Sequence, residues 1–249
     1  MYHFYTDRSN IYEDHILLDG PDVNHIRNVL RMRDGEEVII CDKEGIDHYC
    51  RIEGNEGSGL RLSILKSGSN EAELETRIVL YQGIPKKDKL ELIIQKAVEL
   101  GAAEIVPVMT RRVIVKEGDR AKEEKKLERL NQIAKSAAEQ SGRGVIPKVR
   151  SILSFKEAVA ESRMLGKCLI PYENADSSSS GMEFTRQTIR SLKGAESAGI
   201  FIGPEGGFEE NEVRFAVENG AVPISLGKRI LRTETAGLAI LAMIGYELG

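Results

Sequence analysis

The 249-residue chain has no apolar run approaching the ~20 residues of a membrane-spanning helix, which excludes a helical membrane protein. Met1-Tyr2-His3-Phe4 does not begin a secretory signal, so a cytoplasmic location is expected. Cysteine is scarce: Cys41, Cys50 and Cys168 form an odd set with no CxxC pair, which sets aside a disulfide framework or a cysteine zinc site. The four histidines show no HExxH or related spacing, so no metal centre is predicted. Neither GxGxxG nor GxxxxGK[ST] occurs, and the usual phosphate-cradling nucleotide sites are therefore not expected.

Positive net charge is also missing. The sum is -4, yet its distribution is uneven. Residues 1–75 carry 8 Lys and Arg against 16 Asp and Glu, whereas residues 76–249 carry 27 against 23. Within the latter, residues 111–150 hold 12 basic and 6 acidic side chains. A mildly acidic protein thus has a basic middle, which keeps nucleic acid open as a partner. With 41% hydrophobic and 30% charged residues, the chain is long enough to bury a substantial core without covalent staples.

Two parts read differently. Up to about residue 70 the hydrophobic period is two: 38–41, 46–52 and 60–64 predict short strands, with turns at 43–45 and 54–59. Asp22 is expected to cap a helix from Val23 to Met32 that faces Ile26, Val29 and Leu30 inward. Together these make a small β-barrel with one helix over 1–70, and Ser67-Gly68-Ser69-Asn70 a linker. From residue 74 strands and helices alternate. Strands are predicted at 78–81, 105–108, 168–170, 198–202 and 222–226. Helices are predicted from Pro85 to Gly101 and over 122–141, 155–162, 183–193, 209–219 and 234–248, with a loop at the serine run 177–180. Such alternation predicts an α/β domain with a mainly parallel sheet over 74–249.

Open α/β sheets bind ligands at the carboxyl ends of their strands, and two loops fall there. In Gly203-Pro204-Glu205-Gly206-Gly207-Phe208 three glycines surround one carboxylate, so backbone N–H groups can approach a ligand closely. A tight strand-to-helix turn accounts for a glycine cluster equally well. Glu205, Glu209 and Glu210 favour a ligand without phosphate. The second loop, 226–236, places Lys228, Arg229 and Arg232 beside a helix start at Thr233-Glu234-Thr235. Cations oppose the positive helix dipole there, which favours a functional role over a structural one. The last helix is apolar nearly all round, with Glu247 its one charge after Ala236; it is expected in the core or, preferably, at a dimer interface.

GPEGGFEENEV followed by LGKRILRTETA closely resembles the bacterial 16S ribosomal RNA uracil-N3 methyltransferase family of the SPOUT superfamily. HIRNVLRMRDGEEV from His25, KLELIIQKAVELG from Lys89, and Glu139 to Arg143 with Ile146-Pro147 extend the likeness over essentially the whole chain. Arg112 stands where the family commonly has Ser. The resemblance implies a C-terminal trefoil-knot α/β methyltransferase domain behind a PUA-like β-barrel, a homodimer, and S-adenosylmethionine as methyl donor. Its knotted loops correspond here to Ile202, Gly203, Pro204, Glu205, Gly206 and Gly207, and to Leu226, Gly227, Ile230, Leu231 and Thr233. Leu80, on the first strand of that domain, is expected to join them at the cofactor.

For methyl transfer to uracil N3, Arg232 is expected to stabilise charge on the uracil carbonyl oxygens, with Glu205 or Glu234 taking the proton. Structural roles at the helix start and in the loop compete nearly equally for the two carboxylates. Arg8, His25, Arg27, Arg31 and Arg33 form one candidate RNA-facing group, Arg27 and Arg31 sharing a helix face. Arg111, Arg112, Lys116 and Arg143 form a second, suited to backbone phosphates. The partner expected from the resemblance is 16S rRNA in the small ribosomal subunit. A non-catalytic assembly factor and a SPOUT enzyme acting on another RNA are the competing readings.

Overall fold

A computed structural model describes residues 1–86, 89–112, 120–172 and 181–249, which form two compact units. One comprises Met1–Glu73 with Ala138–Ile146, the other Leu74–Ala137 with Pro147–Gly249. The units are thus interleaved in sequence.

The first unit is built on β1 (Tyr2–Tyr5), β2 (His15–Leu18), β3 (Glu37–Cys41), β4 (Ile46–Glu56) and β5 (Gly59–Ser69). They form one sheet in the order β1-β3-β4-β5-β2, parallel between β1 and β3 and antiparallel elsewhere. The period-two pattern sends Ile16, Leu18, Val38, Ile40, Cys50, Ile52, Leu60 and Leu62 into one core with Phe4. The β4–β5 ladder runs beyond its hydrophobic stretch, pairing Ile46 with Ser69 and His48 with Ser67. The expected linker at 67–69 is therefore strand, because backbone pairing continues where side-chain patterning has stopped.

The helical reading of 22–32 needs correction. Gly20, at φ 73°, delivers Pro21 to the first helical position, so Asp22 is not the cap. One turn, α1 (Pro21–Asn24), passes into a π-helical turn at His25–Val29, and Arg31 leaves it at φ 56°. The wider turn rotates side chains about the axis: Ile26 is buried, but Val29 lies exposed.

The second unit contains β6 (Arg77–Gly83), β7 (Ala102–Met109), β8 (Lys148–Val149), β9 (Leu153–Ser154), β10 (Lys167–Pro171), β11 (Ser197–Ile202) and β12 (Ala221–Ile224). Their helices are α2 (Lys89–Glu99), α4 (Phe155–Ser162), α5 (Gly181–Arg190), α6 (Glu210–Glu218) and α7 (Thr233–Leu248); α3 (Arg120–Ser141) bears residues of both units. All strand pairs are parallel, in the order β12-β10-β11-β6-β7-β8, with β9 beside β7. On one face Tyr81 stacks on Phe201 at 4.6 Å and packs with Phe155, Phe208 and Val213. The alternate residues Ile78, Leu80 and Ile200 are equally buried, and α2 packs on α7. The serine-run loop lies outside the described residues.

The order places the site. From β6 the chain moves to β7 on one side, whereas from adjacent β11 it moves past β10 to β12 on the other. Their connections diverge and leave a crevice at the carboxyl ends of β6 and β11.

Candidate active site

A cavity of about 550 Å³ opens in the second unit past the carboxyl ends of β10, β11 and β12, on one side of this point. One wall is Ile202 to Phe208, the loop that leaves β11; another is Ser225 to Leu231, the loop that leaves β12. Thr233 and Ala236 of α7, Tyr172 and Arg112 complete it. The volume falls in the range of small-molecule sites.

Close backbone approach explains two of the glycines. A Cβ on Gly83 would stand 2.7 Å from both the Pro204 nitrogen and its Cδ, so the end of β6 can meet the loop after β11 only without a side chain. Gly207 closes that loop at φ 67°, its amide donating to the Pro204 carbonyl at 2.8 Å.

The start of α7 ties these loops together. Arg232 occupies the helix cap position and Thr233 the first turn. The Thr233 hydroxyl donates to the Gly203 carbonyl at 2.6 Å and accepts from the Gln82 amide at 2.9 Å. Gln82 also donates to the Gly83 carbonyl and is fully buried. It escaped the sequence reading; its one signal was a polar residue ending an apolar strand.

Two carboxylates converge on one lysine. Lys89, at the start of α2, lies 3.3 Å from Glu205 and 3.1 Å from Glu234. Burial raises the Glu205 pKa, but its own amide, the Lys86 amide and Lys89 outweigh that and hold it below the ordinary range. The Glu234 pKa is also lowered, first by its own backbone amide at the helix start, with Lys89 and Arg232 adding. Both are therefore ionised and weak as bases. Glu205 lines the cavity; Glu234 and Arg232 do not, and Arg232 is exposed at its edge.

The other expected positions divide clearly. Every proposed cofactor residue of the two loops lines the cavity except Leu80, which is wholly buried within β6. Lys228 and Arg229 also line it, exposed and without an ion-pair partner among the described residues. Arg112 donates to the Gly206 carbonyl, while the Arg111 amide donates to Glu212 at 2.9 Å and its guanidinium reaches Glu209 at 3.6 Å. Lys116 lies outside the described residues.

In the first unit Arg143 is not available to a phosphate. It is 2% exposed and makes a two-pronged pair with Glu73 at 2.7 and 2.6 Å. Arg27 is likewise spent, on Asp34, the Met32 carbonyl and Asn55. Arg27 and Arg31 do not share a helix face, since the helix has ended before Arg31. Arg8 pairs with Glu44 at the surface. His25 sits edge-on to Phe4 and is exposed, as are Arg31 and Arg33.

The second unit is thus a parallel α/β unit with a glycine-lined cavity, and the first a small β unit. The chain belongs to the RNA methyltransferase family: that family's domain model matches residues 72–245, and the RNA methyltransferase PUA domain matches 18–65. The relatives it resembles define the branch. Ribosomal RNA small subunit methyltransferase E of Bacillus subtilis (strain 168) is 37% identical over 230 residues, 92% of this chain and 89% of that protein. A crystal structure of a ribosomal RNA small subunit methyltransferase E from Neisseria gonorrhoeae, bound to S-adenosyl methionine, superposes with a TM-score of 0.82 at 33% identity, covering 99% of this chain and 97% of that one. A Legionella pneumophila methyltransferase solved with the same cofactor gives a TM-score of 0.82 at 29% identity, over 98% and 97% of the two chains.

Proposed function

We propose that the protein methylates N3 of a uridine in 16S rRNA of the small ribosomal subunit, with S-adenosylmethionine as donor. The observation that carries this is the cavity past the ends of β10, β11 and β12, walled by two glycine-bearing loops and latched by Thr233. Its donor set fits that cofactor. Backbone of 203–207 and 225–231 offers N–H and C=O groups to adenine and the amino acid, with Ile202, Leu226, Leu231 and Ala236 as apolar contacts. The ionised Glu205 favours a cationic ligand over a phosphate. When bound, S-adenosylmethionine supplies an electrophilic methyl group.

The chain's own residues then hold and polarise the base. Arg232, at the cavity's edge, is assigned to the uracil carbonyl oxygens as N3 loses its proton, with Lys228 and Arg229 beside it. Of the two candidate proton acceptors, Glu205 is favoured because it lines the cavity, whereas Glu234 does not. Arg31, Arg33, Lys228 and Arg229, exposed and without an ion-pair partner among the described residues, are assigned to RNA phosphates.

A homodimer through α7 accompanies this reading. One side of α7 buries Gly237, Ile240, Leu241 and Ile244, while Tyr246 on the other is 90% exposed. The sequence expectation of burial on several faces thus holds for one side only within a single chain.

The deciding experiment is transfer of labelled methyl to unmethylated 30S subunits and, in parallel, to stripped 16S RNA. Nucleosides are then identified by mass spectrometry. 3-Methyluridine is the expected product; another methylated nucleoside, or no label from a protein that still binds the cofactor, overturns the assignment.

A further inference from the structure

In the first unit three neighbouring strands bring together residues far apart in sequence. Tyr5 of β1 pairs with Cys41 of β3, and Cys41 pairs with Asp47 of β4; His3 lies two residues before Tyr5, on the same face by the pleat. A ring nitrogen of His3, the Cys41 sulfur and an Asp47 oxygen lie within 4.8 Å of one another, and all three residues are buried. His3 Nε2 is 3.1 Å from Asp47 Oδ1.

Two features are costly in a merely structural cluster. His3 Nδ1 is buried with no hydrogen-bond partner. Burying one imidazole nitrogen in this way costs about 1–3 kcal/mol. Asp47 brings a buried carboxylate whose partners are His3 and the Asn70 amide at 2.8 Å. A buried carboxylate needs a compensating cation.

We propose that His3, Cys41 and Asp47 bind a divalent transition-metal ion of the zinc class. Imidazole, thiolate and carboxylate are zinc's protein ligands. Ligand atoms around tetrahedral zinc stand about 3–4 Å apart, so the cluster has to contract by up to about 1–2 Å. The buried Cys41 thiol donates its hydrogen to the Gly144 carbonyl at 3.1 Å. Binding therefore releases the thiol proton to solvent as the sulfur–metal bond forms, and frees the Gly144 carbonyl. That carbonyl or a water completes the fourth position. The ion also anchors the segment 142–145, which Tyr5 and Asn70 hold through the carbonyls of Arg143 and Gly142. The role is structural, because the cluster is closed to solvent and unrelated to methyl transfer.

The test uses untagged full-length protein, stripped with a chelator and dialysed against zinc or cobalt. Expected are one equivalent of zinc per chain and a higher melting temperature with zinc than without. Cobalt should give a thiolate charge-transfer band in the near ultraviolet. Cys41→Ser and Asp47→Asn should each lower zinc affinity at least tenfold, Cys41→Ser also abolishing the band, while Cys50→Ser keeps both. Circular dichroism verifies the fold of each variant, and Asp47→Asn serves if Cys41→Ser does not fold. Below 0.1 equivalent of zinc with no cobalt band, or binding that survives in a folded variant, overturns the proposal.

Discussion

Thr233 shows how one hydroxyl can hold a site. It bridges the Gly203 carbonyl and the buried Gln82 amide, so Thr233→Val removes both hydrogen bonds and leaves the Gln82 amide only the Gly83 carbonyl. The variant should lose about 1–3 kcal/mol of stability. It should also bind S-adenosylmethionine at least tenfold more weakly, read by denaturant titration and calorimetry. A second residue-scale case is Glu161, which accepts from Arg150 at 2.7 and 2.9 Å and from the buried Tyr81 hydroxyl at 3.1 Å. Its hydrogen bond with Arg150 is the main reason that its pKa lies below the ordinary 4.5, burial opposing and Tyr81 adding. A depressed carboxylate stabilises the fold fully above the unfolded value and loses that contribution as pH falls through the folded one. Stability should therefore drop on acidification below about pH 4.5, and Glu161→Gln should flatten that part of the curve. An equal loss of unfolding free energy between pH 6 and pH 3 in Glu161→Gln and the parent, from urea titrations, would refute the coupling.

At the scale of elements the close passage of β6 against the loop after β11 makes opposite predictions for two glycines. In Gly83→Ala the new methyl meets Pro204 and the Ile202 carbonyl at 2.7–2.9 Å, all held by backbone or ring. Overpacking of this kind costs about 1–3 kcal/mol. Gly206→Ala meets only the Arg112 side chain, at 3.1 Å from its Cδ, which can move aside. Thermal melts should separate the two variants by several degrees. The two sides of α7 differ in the same way. Ile244→Ala should destabilise the chain by about 2–5 kcal/mol, because Ile244 is wholly buried. Tyr246→Glu should leave the fold intact and shift the protein to monomer in sedimentation velocity. The order of the longer strands and helices was legible from hydrophobic period, and α2 buries Leu90, Ile93, Ile94, Ala97 and Val98 at helical spacing. The strands β1 and β2 were not, because four residues are too few to show a period. Nor was the π-turn at His25–Val29, whose signal is a hydrogen-bond shift without a residue-type signature.

For the whole molecule, charge is separated along the chain rather than summed: residues 1–75 are strongly acidic, and the basic excess falls later. RNA affinity should accordingly depend on particular free cations. Lys228→Ala with Arg229→Ala should weaken binding at low salt and reduce the slope of log affinity against log salt by roughly 1.5–2, measured between 50 and 200 mM. Arg143→Ala should leave that slope unchanged while destabilising the fold, since its guanidinium is committed to Glu73. By itself the sequence determined the α/β class, the order of the longer strands and helices, the two glycine-bearing loops and the family, because local periodicity and contiguous motifs carry all of these. Only the tertiary structure decided which charges are free, that Lys89 binds Glu205 and Glu234, that Gln82 latches Thr233, and that His3, Cys41 and Asp47 meet. Each of those is a contact between residues distant in sequence. Strand order and register set such contacts, and neither is written in any local pattern.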